Sequence, residues 1–357
     1  MAALVCLVGF SQSIVSQGRG HELERDSELY NRAAARLTEL AAEAEAALIY
    51  HDDARARALL REARGLLAAL SQNTAAREQQ AKALEKNLGF LARRIERRLE
   101  LTQLPAWADL PEPRLGGSWG GLVLVGGQVW VWGPGELREV TEKGTMGRDI
   151  TLPDDTRELR AATGMASQIL LARVNGDPLL VPLKGGAPVA TKLGGFTAGA
   201  TYQGKLYLLQ GEPAQVMRAA AEGATLASPT RWLRSGERAG VASASGIAVD
   251  GAVYVSSALG LKKYVQGIER TLALDAVDPP LRNLSGVAAA AEAAELYTWS
   301  RSDRRLLVLD KLGKLQLQLV LPESSQLRDI AIDLATKRAY ILAGNSIHRL
   351  ELGQLTP

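Results

Sequence analysis

The chain has 357 residues, 46% apolar, 23% charged and 5% aromatic, with 42 Lys and Arg against 39 Asp and Glu for a net charge of +3. That length is enough for two or three domains with their own cores, and so slight a charge excludes the strongly basic face of a nucleic-acid binder. A single cysteine, Cys6, excludes a disulfide framework, a thiolate zinc site and a CxxC redox pair.

The chain opens on an apolar head, Ala2 to Phe10, extended weakly through Val15. The run falls short of the ~20 apolar residues of a membrane span, and no basic residue precedes it as a signal peptide requires. Three readings stay open: the second half of a truncated membrane anchor, a poor signal sequence, or the apolar start of the first helix. The anchor is preferred, because the run leads straight into a long polar helix; residues 1–18 are taken as this head.

Residues 19–103 contain no proline and are dense in Ala, Leu and balanced charge. Apolar residues recur at helical spacing through Tyr30, Ala33, Leu37, Leu40, Ala44 and Leu48. A second stripe runs from Ala56 through Leu60, Ala63 and Leu67 to Leu70, after Asp52-Asp53 as an N-cap. Thr74 caps a third, carrying Leu84, Leu88, Leu91, Ile95 and Leu99. Three helices are expected, the first two as an antiparallel hairpin. The third stripe is nearly heptad, which suits either a dimer seam or packing within one chain. The cluster Arg93, Arg94, Arg97 and Arg98 reads as a solvated face near a helix C-terminus.

All 14 prolines fall after residue 103. Pro105, Pro111 and Pro113 make residues 104–121 a stiff linker, expected also to donate a closing strand from near Leu110–Gly121. Beyond it a short strand, often with an aromatic, recurs six times: Val129-Trp130-Val131-Trp132, Ile169-Leu170-Leu171, Leu206-Tyr207-Leu208-Leu209, Val253-Tyr254-Val255, Leu296-Tyr297-Thr298-Trp299 and Ala339-Tyr340-Ile341-Leu342. The starts are 40, 37, 47, 43 and 43 residues apart. Tight turns at Gly126-Gly127, Gln203-Gly204 and Asp250-Gly251 precede several copies. This period with hairpin-linked strands marks a four-stranded propeller blade. The expected fold is α + β multidomain: a three-helix segment, then an all-β six-bladed β-propeller over residues 122–357.

Ile247-Ala248-Val249-Asp250-Gly251-Ala252-Val253-Tyr254-Val255, Ile330-Ala331-Ile332-Asp333 with Arg338-Ala339-Tyr340-Ile341-Leu342, and the turn Asp310-Lys311-Leu312-Gly313-Lys314 resemble NHL-type or TolB-like blades. No WD dipeptide occurs, which disfavours a WD-repeat propeller. Ala46 to Leu70 resembles one tetratricopeptide-like helix pair, though a solenoid needs about three. An apolar anchor, helical hairpin and NHL-like propeller in series is similar to a set of bacterial membrane-anchored proteins. That resemblance implies an extracytoplasmic propeller; the phosphatase-like domain some of these proteins carry has no counterpart in this chain.

The chemical motifs are weak. Gly116-Gly117-Ser118-Trp119-Gly120 matches GxSxG but sits in a linker, with His348 the one histidine downstream. Gly199 to Lys205 reads GxxxxGK with Leu206 next, and is a hairpin turn. Asn283-Leu284-Ser285 matches a glycosylation sequon. Asp250, Asp310 and Asp333 fall at related blade positions and suit turn amides better than a cation. Trp130, Trp132, Trp232 and Trp299 suit the core better than a stacking surface. No catalytic, cofactor-binding or metal residue is assigned, and no cofactor. The expected partner is a protein, peptide or glycan at the propeller face, with membrane contact through Ala2–Val15 and self-association through the third helix. The expected function is a non-enzymatic binding or scaffolding module; a hydrolase or lyase in the central channel and the sensor half of a larger membrane protein are the alternatives.

Overall fold

The computed structural model describes residues 2–355 apart from 212, 223, 224, 276, 279, 281 and 282, with most side chains from Arg25 onward. It divides into two compact units, residues 1–98 and 99–357.

The first unit is three helices: α1 (Ala2–Ile49), α2 (Asp53–Ala69) and α3 (Ala75–Ile95). The Asp52 carboxylate accepts the Arg55 N–H at 3.0 Å, and the Thr74 hydroxyl accepts that of Arg77 at 3.3 Å, satisfying donors that the first helical turn leaves open. Between α1 and α2 His51 takes a positive φ of 60°, which reverses the chain in a tight hairpin. The apolar stripes meet in one core: Leu37, Leu40 and Ala44 of α1, Leu60 and Ala63 of α2, Leu88 and Ile95 of α3. The near-heptad face of α3 therefore packs within its own chain, the second of the two readings its spacing allowed. Of its basic cluster, Arg94 pairs with Glu45 and Arg97 with Asp53, so these cations stitch helices together rather than form a wholly solvated face. Because no proline interrupts residues 2–49, α1 starts at Ala2 instead of near His21. The side chains of the apolar head, Cys6 among them, lie outside the described residues. Among those described, no helix is long and apolar enough to cross a membrane.

The second unit is six antiparallel sheets, blades 1 to 6 in chain order. Their inner strands are Gly121–Val125, Leu159–Met165, Ala198–Tyr202, Ala244–Val249, Gly286–Ala289 and Leu327–Asp333. These lie side by side around an axis, and the last returns to the first. All six repeats noted in the sequence form the second strand of their blade, paired to the inner strand by a hairpin. Gln203 and Gly204, with φ of 47° and 68°, supply the left-handed turn between Tyr202 and Lys205; this is where the GxxxxGK match falls.

Each blade buries its faces against its neighbours. Val123 and Trp130 of blade 1 pack on Ile169, Leu171 and Val181 of blade 2, and Tyr207 and Leu209 of blade 3 pack on Ile247 and Val255 of blade 4. Each such side chain contributes about 1.5–3 kcal/mol relative to exposure, which an isolated blade would forfeit.

Blade 6 takes its fourth strand from ahead of blade 1. Ala106–Asp109 pairs with Ser346–Glu351, with Ala106 opposite His348 and Asp109 opposite Ser346. The strand lies N-terminal to Leu110–Gly121, the stretch expected to supply it. Pro111 and Pro113 lack the N–H a ladder needs, so that stretch forms a connection instead. There the Trp119 indole donates to the Pro111 carbonyl at 2.8 Å. Blade 5 carries an additional edge strand, Arg98–Glu100, outside Leu315–Val320.

Candidate functional site

Around the axis, at the face where the inner strands begin, lies a cavity of about 250 Å³ to which all six blades contribute. Two of its lining residues are glycine because the neighbouring tryptophans leave no room. A Cβ on Gly120 would lie 2.0 Å from the Trp132 ring, and one on Gly286 would lie 2.1 Å from the Trp299 ring. The two rings are almost wholly buried, at 7% exposure each, and they carry the wall of the channel rather than an open stacking surface. Trp130 is buried in the same interblade core as Trp132, as their alternation in one strand requires. Trp232 stands edge-on to Tyr207 with ring centres 5.9 Å apart.

Other lining residues are polar. The inner strands of blades 2, 4 and 6 each open with a β-bulge, whose extra residue is Arg160, Ser245 and Arg328 respectively. A bulge turns a side chain that would point between blades out of the pleat. Arg160 and Ser245 line the cavity. Arg301, just beyond the second strand of blade 5, lines it too. Its backbone N–H donates to the Ser285 hydroxyl at 3.1 Å and its guanidinium to the Arg328 carbonyl at 3.1 Å. Ser245 donates to the Leu284 carbonyl, tying blade 4 to blade 5.

The cavity's single carboxylate is Asp329. One oxygen accepts the Leu122 N–H and the other the Ile330 N–H, both at 2.9 Å. Burial pushes its carboxyl up to about 6; the two N–H donors and the charge of Arg301 oppose the rise without cancelling it. Among the described residues lining the cavity Asp329 is the one carboxyl, and both its oxygens are engaged by backbone N–H groups.

The motifs noted in the sequence lie elsewhere. His348 lines a separate cavity of about 480 Å³, to which Ser118 does not contribute. Asp250, Asp310 and Asp333 hold turns at the opposite face: Asp250 accepts from Ala252, Asp310 from Leu312 and Lys314, Asp333 from Ala335 and Thr336. Asp250 also pairs with Lys311 at 2.6 Å. Among the described residues no group of three or more His, Cys, Asp or Glu is placed to hold a metal. Asn283 of the sequon takes a left-handed φ of 52° in the loop entering blade 5.

Sequence reasoning missed Arg160, Arg301, Arg328 and Asp329. A bulge is invisible in a single strand's pattern, because it is a mismatch between two strands. A usable signal was present: a small or glycine residue heads the inner strand in several repeats, at Gly120-Gly121, Gly199, Gly246 and Gly286.

No protein-family model matches the chain, and no curated protein matches it. Among solved structures it is similar to BamB from Moraxella catarrhalis, at 14% identity and a TM-score of 0.37 over 64% of this chain and 67% of that one. It is similar to the WD40 β-propeller domain of Doa1, at 11% identity and 0.44 over 70% and 97%. In a nidogen/laminin complex the similar chain is 13% identical, at 0.44 over 61% and 92%. The propeller assignment itself stands on the sheet order and ring closure described above.

Proposed function

We propose that the chain is a non-enzymatic binding module whose six-bladed disc recognises a protein or peptide at the mouth of the axial channel. The observation carrying this reading is the convergence of all six blades on one polar cavity that holds a single, backbone-engaged carboxylate. At about 250 Å³ the cavity is below the ~300–1,000 Å³ usual for a whole small-molecule ligand, and it suits one inserted side chain of a larger partner. Display on a membrane-anchored stalk belongs to the same proposal; its support is the apolar run Ala2–Phe10, which forms the first turns of α1.

The test is selection of peptides from a random library on the purified full chain, followed by affinity measurement on two variants. Thr197→Trp fills the mouth, and Lys205→Glu alters a hairpin at the other end of the blade 3 inner strand. Selected peptides are expected to lose tenfold or more in affinity with Thr197→Trp and to be unaffected by Lys205→Glu. Peptides indifferent to Thr197→Trp would place recognition elsewhere.

A channel hydrolase or lyase is the second reading, favoured by the raised carboxyl of Asp329. Turnover of an ester or glycoside panel that vanishes in Asp329→Asn would select it over the first.

A further inference from the structure

We propose that the channel mouth is an acidic-side-chain receptor, in which Arg160 and Arg301 grip a carboxylate of a partner peptide from opposite sides of the axis. This rests on the binding reading above and adds the chemistry of the ligand. Arg160 belongs to blade 2 and Arg301 follows the second strand of blade 5. In a ring of six these blades face each other, so the two guanidinium groups approach one cavity from opposed walls.

Neither cation is committed to a salt bridge, although the charge of Arg301 is felt by Asp329. Among the described residues neither Arg160 nor Arg301 forms a salt bridge, whereas other arginines of this unit are committed. Arg114 pairs with Asp154, Arg138 with Glu136 and Asp149, and Arg173 with Asp155. Arg301 is held in place by its bond to the Arg328 carbonyl, which spends a donor without spending the charge. Arg328, whose carbonyl holds Arg301, does not itself line the cavity; its Nε is buried and unpartnered. Against these stands one carboxylate, Asp329, whose oxygens are turned to the N–H groups of Leu122 and Ile330. The mouth therefore keeps a net positive charge among walls of glycine and buried tryptophan. Both arginines are exposed at the mouth, and guanidinium groups recognise carboxylates through paired N–H donors.

The limited cavity volume decides the occupant. It receives one acidic side chain, while the rest of a peptide lies across the rim. An extended nucleic acid is disfavoured by the net charge of +3 over the whole chain.

The test uses the full chain and labelled hexaglutamate, with hexalysine, inorganic phosphate and a short single-stranded DNA as separate probes, read by fluorescence anisotropy or competition. Hexaglutamate is expected to bind, to weaken tenfold or more in Arg160→Ala and in Arg301→Ala, and to be unchanged in Arg304→Ala, whose residue does not line the cavity. Hexalysine is expected not to bind the native chain but to bind Arg160→Glu/Arg301→Glu. Equal binding of hexaglutamate by native chain and both alanine variants would overturn the proposal. So would competition by phosphate at equal concentration, which would identify a free-anion site, or preferential binding of the DNA. If hexaglutamate fails while library-selected peptides remain sensitive to Thr197→Trp, the acidic assignment falls and the binding reading stands. If neither binds, both fall.

Discussion

The carboxylate of Asp329 accepts the backbone N–H of Leu122 at 2.9 Å, a bond between residues 207 positions apart that joins the last blade to the first beside the axis. It acts together with the strand Ala106–Asp109, which ties the same two ends together at the outer edge of blade 6. The ring is thus fastened twice, once at its centre by a side chain and once at its rim by backbone.

The central fastening carries a pH signature. The Asp329 carboxyl is raised from its ordinary 3.8 to about 6 in the fold, so the fold favours the protonated form. Its contribution to stability is complete below 3.8 and is lost as pH rises through 6. A rise of that size is worth at most about 3 kcal/mol, and the partial exposure of Asp329 reduces the expectation to about 1–2 kcal/mol. Urea denaturation at pH 4 and pH 7 should show the native chain gaining that much relative to Asp329→Asn on acidification. Parallel pH profiles for the two proteins would contradict it.

The outer fastening is tested by its backbone. Replacing Ala106–Asp109 with Gly-Ser-Gly-Ser removes buried Ala108 and weakens the ladder to Ser346–Glu351. A fall of at least about 2 kcal/mol in propeller stability is expected, seen by calorimetry as a lowered transition. An unmoved transition would show that the ring closes without this strand.

Two glycines, Gly286 lining the cavity and Gly195 outside it, separate packing from propensity. Gly286→Ala forces a Cβ to 2.1 Å from the Trp299 ring and is expected to cost about 2–3 kcal/mol by overpacking. Gly195→Ala, where no atom lies within 4 Å, is expected to stay within about 0.5 kcal/mol of the native chain. Chemical denaturation of the two variants decides the matter, and equal stabilities would refute the steric account.

In the helical unit the opposite sign is expected. A methyl group added at Gly65 in α2 or Gly89 in α3 would meet nothing within 4 Å, and both residues sit in helix interiors, so alanine should stabilise each helix by about 0.5–1 kcal/mol. Thr74→Ala, which removes the cap on Arg77, should cost about 1 kcal/mol. Circular dichroism during thermal melting reads all three, and destabilisation by either glycine replacement would be against the argument.

What was legible in the sequence was whatever a single strand or helix declares by itself. Asp52 and Thr74 announce helix starts because a cap is a local bond, and the six aliphatic and aromatic strands announce blades because each is buried on both faces. The closing strand lies earlier in the chain than its expected position, since Ala106-Trp107-Ala108-Asp109 has little strand character until Ser346–Glu351 provides its partner. The cavity was illegible for a similar reason. Arg160 and Ser245 reach the cavity through bulges, and Asp329 finds its partner 207 residues away.

The pairing of Ala106–Asp109 with Ser346–Glu351 also sets an order of events during synthesis. The earlier strand leaves the ribosome with its edge unsatisfied and must wait while five blades are translated. Only when the final hairpin emerges can the disc lock, so nascent chains stalled before Ser346 carry an open seam that invites chaperones or a second chain.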